Sequence, residues 1–250
     1  YTQAGDKVKA MKSLLKSGDT EKIVFFVNVS RQKDIYMMGA NYLQTLDWHN
    51  DPDVMKNIIA FYTKAKATES LASFYEACAQ IEIDEYRDYD KALQAMREAL
   101  KYVQRSRAVD TDLRQRSLEQ RIAMMERFAE AKAMMDGNPQ AAVASCNALL
   151  AEAPAEMDGS EASIRIGDVY ALLVEYWYAQ RNMEQAYQLV EKMRSRRIIL
   201  GPYLDNQMVA EIYRAMGINA NPTEDEGDDG IDDEEIPMDD EEVLDDDDDL

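Results

Sequence analysis

The sequence predicts an all-α protein built as a tetratricopeptide-like solenoid of helical hairpins, coiling as a right-handed superhelix. Three observations predict it. Ala, Leu, Met, Glu, Lys and Gln, the good helix formers, are plentiful, while Gly (10) and Pro (6) are scarce in 250 residues. No strand-rich stretch stands out between them. A turn-plus-helix pattern also recurs four times. Gly5-Asp6 precedes Ala10 and Leu14; Arg87-Asp88 precedes Ala92 and Met96; Gly137-Asn138 precedes Ala142 and Cys146; Arg181-Asn182 precedes Ala186 and Val190.

The recurrence has a physical reading. Asp or Asn accepts hydrogen bonds from the free N–H groups of a helix start. The small Ala four residues on lets a neighbouring helix come close, and the apolar residue one turn later fills the space. This is the second helix of a hairpin. The first helix is clearest before Asn182, where Tyr170, Leu173, Val174 and Trp177 form one apolar stripe at helical spacing. By that template Tyr1 stands where Trp177 does, so the chain is expected to open halfway through a hairpin, as a fragment. The intervals between turns are uneven and longer than the standard repeat of about 34 residues, which predicts long helices and a degenerate array.

In chain order, the first helix is expected over 7–17, after Gly5-Asp6 and closed by Gly18, followed by helices at 20–30 and 33–47. Asp51-Pro52, a cap followed by proline at the first helical position, opens 52–65. Helices at 68–86, 89–104 and 110–136 follow, the last closed by Gly137. Asn138-Pro139 repeats the cap device for 139–152, and helices at 163–180, 183–196 and 205–216 complete the series, with Gly217 at its end. The solenoid is expected over 1–219, with a separate tail over 220–250.

The net charge of −21 belongs to that tail. Residues 221–250 hold 18 Asp and Glu and no Lys or Arg, which leaves 31 acidic residues (49 less 18) against 28 basic ones, a net of −3. Dense like charge with few apolar anchors predicts disorder. It also repels nucleic acid phosphates and gives no support to binding an anionic membrane. Asp225-Glu226-Gly227-Asp228-Asp229-Gly230 faintly resembles a calcium loop, but Gly227 and Ile236 stand at two ligand positions. Loose cation binding or a solubilising role fits better. No window approaches the ~18 consecutive apolar residues of a membrane span, and direct insertion is not expected.

Catalytic constellations are absent, so no enzyme, cofactor or metal is expected. The single histidine, His49, lies in the polar turn "DWHNDPD" and reads as a surface or capping residue. Cys78 and Cys146 sit among small or apolar neighbours and read as buried reduced thiols, which suits a cytosolic compartment. The 15 methionines and the aromatic set around Phe25, Phe61 and Phe74 read as core filling. Two basic clusters remain: Lys101, Arg105, Arg107, Arg114 and Arg116, and Lys192, Arg194, Arg196 and Arg197. Each reads either as a solvated face with cations near a negative helix end, or as a dock for an acidic segment of a partner or of this chain's own tail.

Specific phrases narrow the reading. "SGDTEKI", "VSRQKDIY", "CAQIEIDEY" and "IRIGDVY" carry a resemblance to the C-terminal helical region of the intraflagellar transport protein 140 family, over most of 1–104 and 160–194. The resemblance implies a parent with two N-terminal β-propellers and a long solenoid, a scaffold subunit of intraflagellar transport complex A. It implies dynein-driven retrograde transport and import of membrane receptors through tubby-like adaptors, at the cytoplasm, basal body and axoneme of a cilium. It implies partners among the other complex A subunits and no catalytic residues. Other helical solenoids, a peptide-binding tetratricopeptide adaptor or a vesicle-coat subunit, are the alternatives. The apolar stripe on the first helix, around Val8, Met11 and Leu15, is expected to let two fragments meet end to end.

Overall fold

Eleven α-helices follow one another along the residues described by the computed structural model, 4–106, 111–152 and 163–218. They are α1 (Ala4–Ser17), α2 (Thr20–Ser30), α3 (Lys33–Leu43), α4 (Pro52–Ala65), α5 (Thr68–Ile81), α6 (Tyr89–Arg105), α7 (Thr111–Met134), α8 (Pro139–Glu152), α9 (Ile166–Ala179), α10 (Met183–Ser195) and α11 (Asn206–Ala215). Helices adjacent in sequence pack on one another in turn, most extensively α3 on α4, α5 on α6, α6 on α7 and α9 on α10. No strand occurs among the described residues. Nearest-neighbour packing of this kind defines a helical-hairpin solenoid.

The polar turn signals act as caps. Asp19, Asp51, Asp88, Asn182 and Asp205 each accept a first-turn backbone N–H at 3.0–3.2 Å, and Asn138 accepts one at 3.4 Å. Such caps contribute about 1 kcal/mol each. Gly5-Asp6 departs from this: α1 begins at Ala4, so the pair lies inside the first turn and not in a turn before the helix. Helix α3 stops at Leu43, short of the expected 47, because Gln44–Leu46 tighten into turns.

The expected helix over 68–86 is two structures. Helix α5 ends at Ile81, and Glu82–Tyr86 form a π-helical turn, sealed when the Asp88 N–H donates to the Glu82 carbonyl (2.9 Å). Arg87 then takes a left-handed conformation (φ 51°) and starts the chain into α6. Arg31, Lys66, Arg181 and Arg197 do the same at other helix ends, with φ from 50° to 59°. Every described non-glycine residue with positive φ is therefore a cation, and each sits where the negative helix end favours one.

The core has two buried clusters. One runs from Met11 to Phe74 through α1–α5, the other from Ala72 to Tyr213 through α5–α11. They meet at α5, where half-buried Tyr75 stacks on Tyr102 with ring centroids 5.7 Å apart. Phe61 and Phe74 fill the first cluster as expected, whereas Phe25 points outward from α2 and is exposed. The repeat positions explain the second cluster. Ala92, Ala142 and Ala186 are fully buried, as are Met96, Cys146 and Val190, and Tyr170 and Leu173 lie beside them. Trp177 is half-buried against the same core.

The first repeat does not match. Ala10 and Leu14 are only half-buried, and Met11 takes the fully buried place, because α1 packs on both α2 and α3. Met11 is thus enclosed by its own fold, which removes it from any end-to-end contact; Val8 and Leu15 pack beside it. Tyr1 lies outside the described residues.

Candidate functional site

The two most family-specific phrases meet in space. "CAQIEIDEY" supplies the π-helical turn, and "IRIGDVY" supplies the start of α9 about 80 residues later. Arg165 binds Asp84 through Nε (3.0 Å) and Nη2 (2.9 Å). Its backbone N–H donates to the Tyr89 hydroxyl (3.1 Å), which donates in turn to the Asp168 carboxylate (2.6 Å). Arg87 Nε lies 3.4 Å from the other Asp168 oxygen, and its guanidinium stacks 4.7 Å above the Tyr203 ring.

Local sequence dictates this geometry. The π turn adds a residue to the helical circuit and aims Asp84 at α9. The left-handed Arg87 brings its side chain back over the same spot. Gly167 lets the Tyr203 ring approach; a Cβ there would lie 2.3 Å from it. Asp168, on the first turn of α9, is 8% exposed. Burial pushes its carboxyl above the usual carboxylate range, opposed by the Tyr89 hydroxyl and by the Arg87 and Arg165 charges. Burial, then the Asp168 charge, pushes the Tyr89 phenol far up, so it stays a donor. A cavity of about 140 Å³ adjoins the knot, with Lys132 and Glu175 on its wall. The knot's own groups satisfy one another across the π-helical turn, α6 and α9, and it acts as a clamp on helix stacking.

The first basic cluster is dispersed. Arg114 binds Glu69 (2.7 Å), Glu76 (2.6 Å) and Ser73 (2.9 Å), and Arg121 joins at Glu76 (3.3 Å). Arg114 therefore clamps α7 to α5. Lys101 pairs with Glu98 along α6 (2.5 Å), Arg105 lies over Tyr102 (5.8 Å), and Arg116 is exposed. Arg107 lies outside the described residues.

The second cluster stays together at the end of α10. Lys192 and Arg197 are exposed. Arg194 stacks over Tyr213 (5.0 Å) and Arg196 over Tyr170 (5.7 Å).

Other candidates resolve plainly. Burial pushes the Cys146 thiol up to about 11 and the half-buried Cys78 thiol up to about 12. His49 does not project from a polar turn as a surface residue; it packs edge-on to Trp48 (5.8 Å) and against Tyr86 (5.1 Å). Among the described residues, no three His, Cys, Asp or Glu side chains are placed to hold a metal ion. No described helix is long and apolar enough to cross a membrane. The calcium-like stretch from Asp225 to Ile236 lies outside the described residues.

The knot escaped sequence reasoning because its partners are 76 to 81 residues apart. The one available signal was that both phrases pack charged residues (Asp84, Arg165, Asp168) among apolar ones, where a helix otherwise buries only carbon.

Comparison with known proteins agrees with this architecture. Residues 1–61 match the TPR domain shared by intraflagellar transport proteins 140 and 172. Residues 69–194 match the C-terminal TPR domain of intraflagellar transport protein 140, a span that contains Asp84, Arg87, Tyr89, Arg165 and Asp168. The break between the two matches falls at the α4–α5 junction, next to the seam between the two cores. With half of its length in that second match and an unbroken helical solenoid throughout its described residues, the chain belongs to the family of intraflagellar transport protein 140 C-terminal TPR domains, a scaffold of the kind found in intraflagellar transport complex A.

Proposed function

We propose that this chain is a non-enzymatic scaffold segment that holds intraflagellar transport complex A together and thereby serves retrograde transport and the entry of membrane cargo into cilia. The observation that carries the reading is the position of the polar knot. Asp84, Arg87, Tyr89, Arg165 and Asp168 lie within the stretch matched by the C-terminal TPR domain of the family, Tyr203 lies just beyond it, and together they join segments far apart in sequence. Such investment in stacking geometry suits a rigid surface for other proteins. Sister subunits of complex A are the proposed partners, with tubby-like adaptors as carriers of cargo, at the basal body and axoneme. The exposed cations Lys101, Arg105, Arg116, Lys192 and Arg197 are candidate contact residues. Self-association through α1 would have to use Val8 and Leu15.

The test is reconstitution. The folded chain, verified by circular dichroism, is mixed with recombinant complex A subunits and passed over a sizing column. Co-elution with at least one subunit is expected. A well-folded chain that elutes alone from every combination would overturn the reading.

A further inference from the structure

Lys192, Arg196 and Arg197 lie close in sequence at the end of α10, and Arg214 lies on α11, which packs on α10. Among the described residues, no carboxylate lies within 4.0 Å of Lys192, Arg196, Arg197 or Arg214, and Arg196 Nη1 is buried without a hydrogen-bond partner. The acids on the packed elements nearby are engaged elsewhere. Glu191 accepts from the Tyr213 hydroxyl, Glu211 from the Tyr178 hydroxyl, and Asp205 caps α11. Apolar side chains stand open close in sequence to the cations: Ile199, two residues after Arg197, is 64% exposed, and Met216 and Ile218, just after Arg214, are also exposed.

We propose that this surface is a docking site for the chain's own acidic segment, residues 224–249. Three features select that occupant. The first is charge: residues 221–250 carry 18 carboxylates and no cation. The second is reach. The Ile218 N–H donates to the Tyr213 carbonyl (3.0 Å), and Arg194 stacks on the Tyr213 ring (5.0 Å), so the chain leaves α11 close to where α11 meets the end of α10. Six further residues lead to Glu224 and span at most about 20 Å. The third is pattern: Ile231, Ile236, Met238, Val243 and Leu244 are interspersed with the acids and supply partners for Ile199, Met216 and Ile218. Tethering makes the contact intramolecular, with an effective concentration on the order of millimolar. The inference is separate from complex A membership, because it needs no second protein.

The experiment uses the full chain with methyl-labelled methionine and a paramagnetic tag at Asp240→Cys. Cys78→Ser removes the half-buried native thiol, and Cys146 is fully buried. The expected result is broadening of the Met208 and Met216 methyl signals, with Met37 and Met55 in the N-terminal core unaffected. Lys192→Glu with Arg214→Glu, both exposed, should reduce the broadening at least about twofold, as should about 0.5 M salt. Comparison of native and charge-reversed chains cancels the effect of tethering alone. Broadening that survives both charge reversal and salt overturns the proposal, as does broadening that is equal at Met55 and Met216. If the charge reversal leaves broadening unchanged but abolishes binding of a complex A subunit, the surface belongs to a partner and the proposal is likewise overturned.

Discussion

Replacing Gly167 by Ala tests the knot most sharply, because two effects of opposite sign compete. Gly167 lies in the first turn of α9, where Ala is a better helix former by up to about 1 kcal/mol. The new Cβ would, however, lie 2.3–2.5 Å from three atoms of the Tyr203 ring. That ring has little freedom to yield. Arg87 stacks on it at 4.7 Å, Arg165 Nη1 reaches its hydroxyl at 3.4 Å, and the Tyr203 N–H is held by the Leu200 carbonyl at 2.8 Å. Overlap this severe belongs at the upper end of the overpacking range, about 2–3 kcal/mol, so after the helix gain the net expectation is a loss of about 1–2 kcal/mol. Urea unfolding followed by far-ultraviolet circular dichroism should show a midpoint lowered by roughly 0.5–1 M at a slope near 2 kcal/mol/M. Gly137→Ala, with nothing within 4 Å, is the control and should leave the midpoint in place. In a Tyr203→Ala background, Gly167→Ala should cost nothing. A Gly167→Ala protein as stable as the parent would refute the close-approach argument, as would an undiminished loss in the Tyr203→Ala background.

Asp168 gives a pH dependence of defined sign. Its folded carboxyl titrates above the unfolded value of about 3.9, so the folded chain binds that proton more tightly. The penalty for ionising it therefore grows as pH rises from about 4 through the raised value. Asp168→Asn should gain stability relative to the parent between about pH 4 and pH 7, and a difference constant over that range refutes the shift. A thiol reagent at pH 8 should modify Cys78 and Cys146 slowly in the native chain and rapidly in denaturant, given thiols pushed up to about 12 and about 11; fast native labelling contradicts their burial. Lys66→Gly relieves a side chain held at φ 54° on an exposed helix end, and should raise the melting temperature through a gain of up to about 1 kcal/mol; a lowered melting temperature counts against strain there.

The solenoid was legible because its signals are local. Asp or Asn followed by Ala and an apolar residue is read within one helix, and Pro52–Ala65 and Pro139–Glu152 have the expected boundaries. The same locality explains the errors. Arg114 looked like part of an open basic face because its acidic partners, Glu69 and Glu76, come 45 and 38 residues earlier on another helix. The π turn kept its apolar spacing, so nothing in "IEIDEY" separated it from α5. Ala10 fitted the repeat by spacing, but the helix rotates to bury Met11, a choice made by packing against α2 and α3. His49 looked polar from its neighbours in sequence, while Tyr86, which covers it, lies well downstream.

The π-helical turn at Glu82–Tyr86 constrains length as well as composition. Deleting one residue would let the segment wind on as ordinary α-helix and would rotate everything after it by about 100°. Asp84 would no longer face Arg165, and Tyr89 would no longer lie beneath Asp168. Substitutions in this stretch test one side chain at a time, whereas a single deletion would undo the clamp with every chemical group still present. Among relatives of this chain, the spacing from Cys78 to Tyr89 should therefore tolerate changes of letter far better than changes of count.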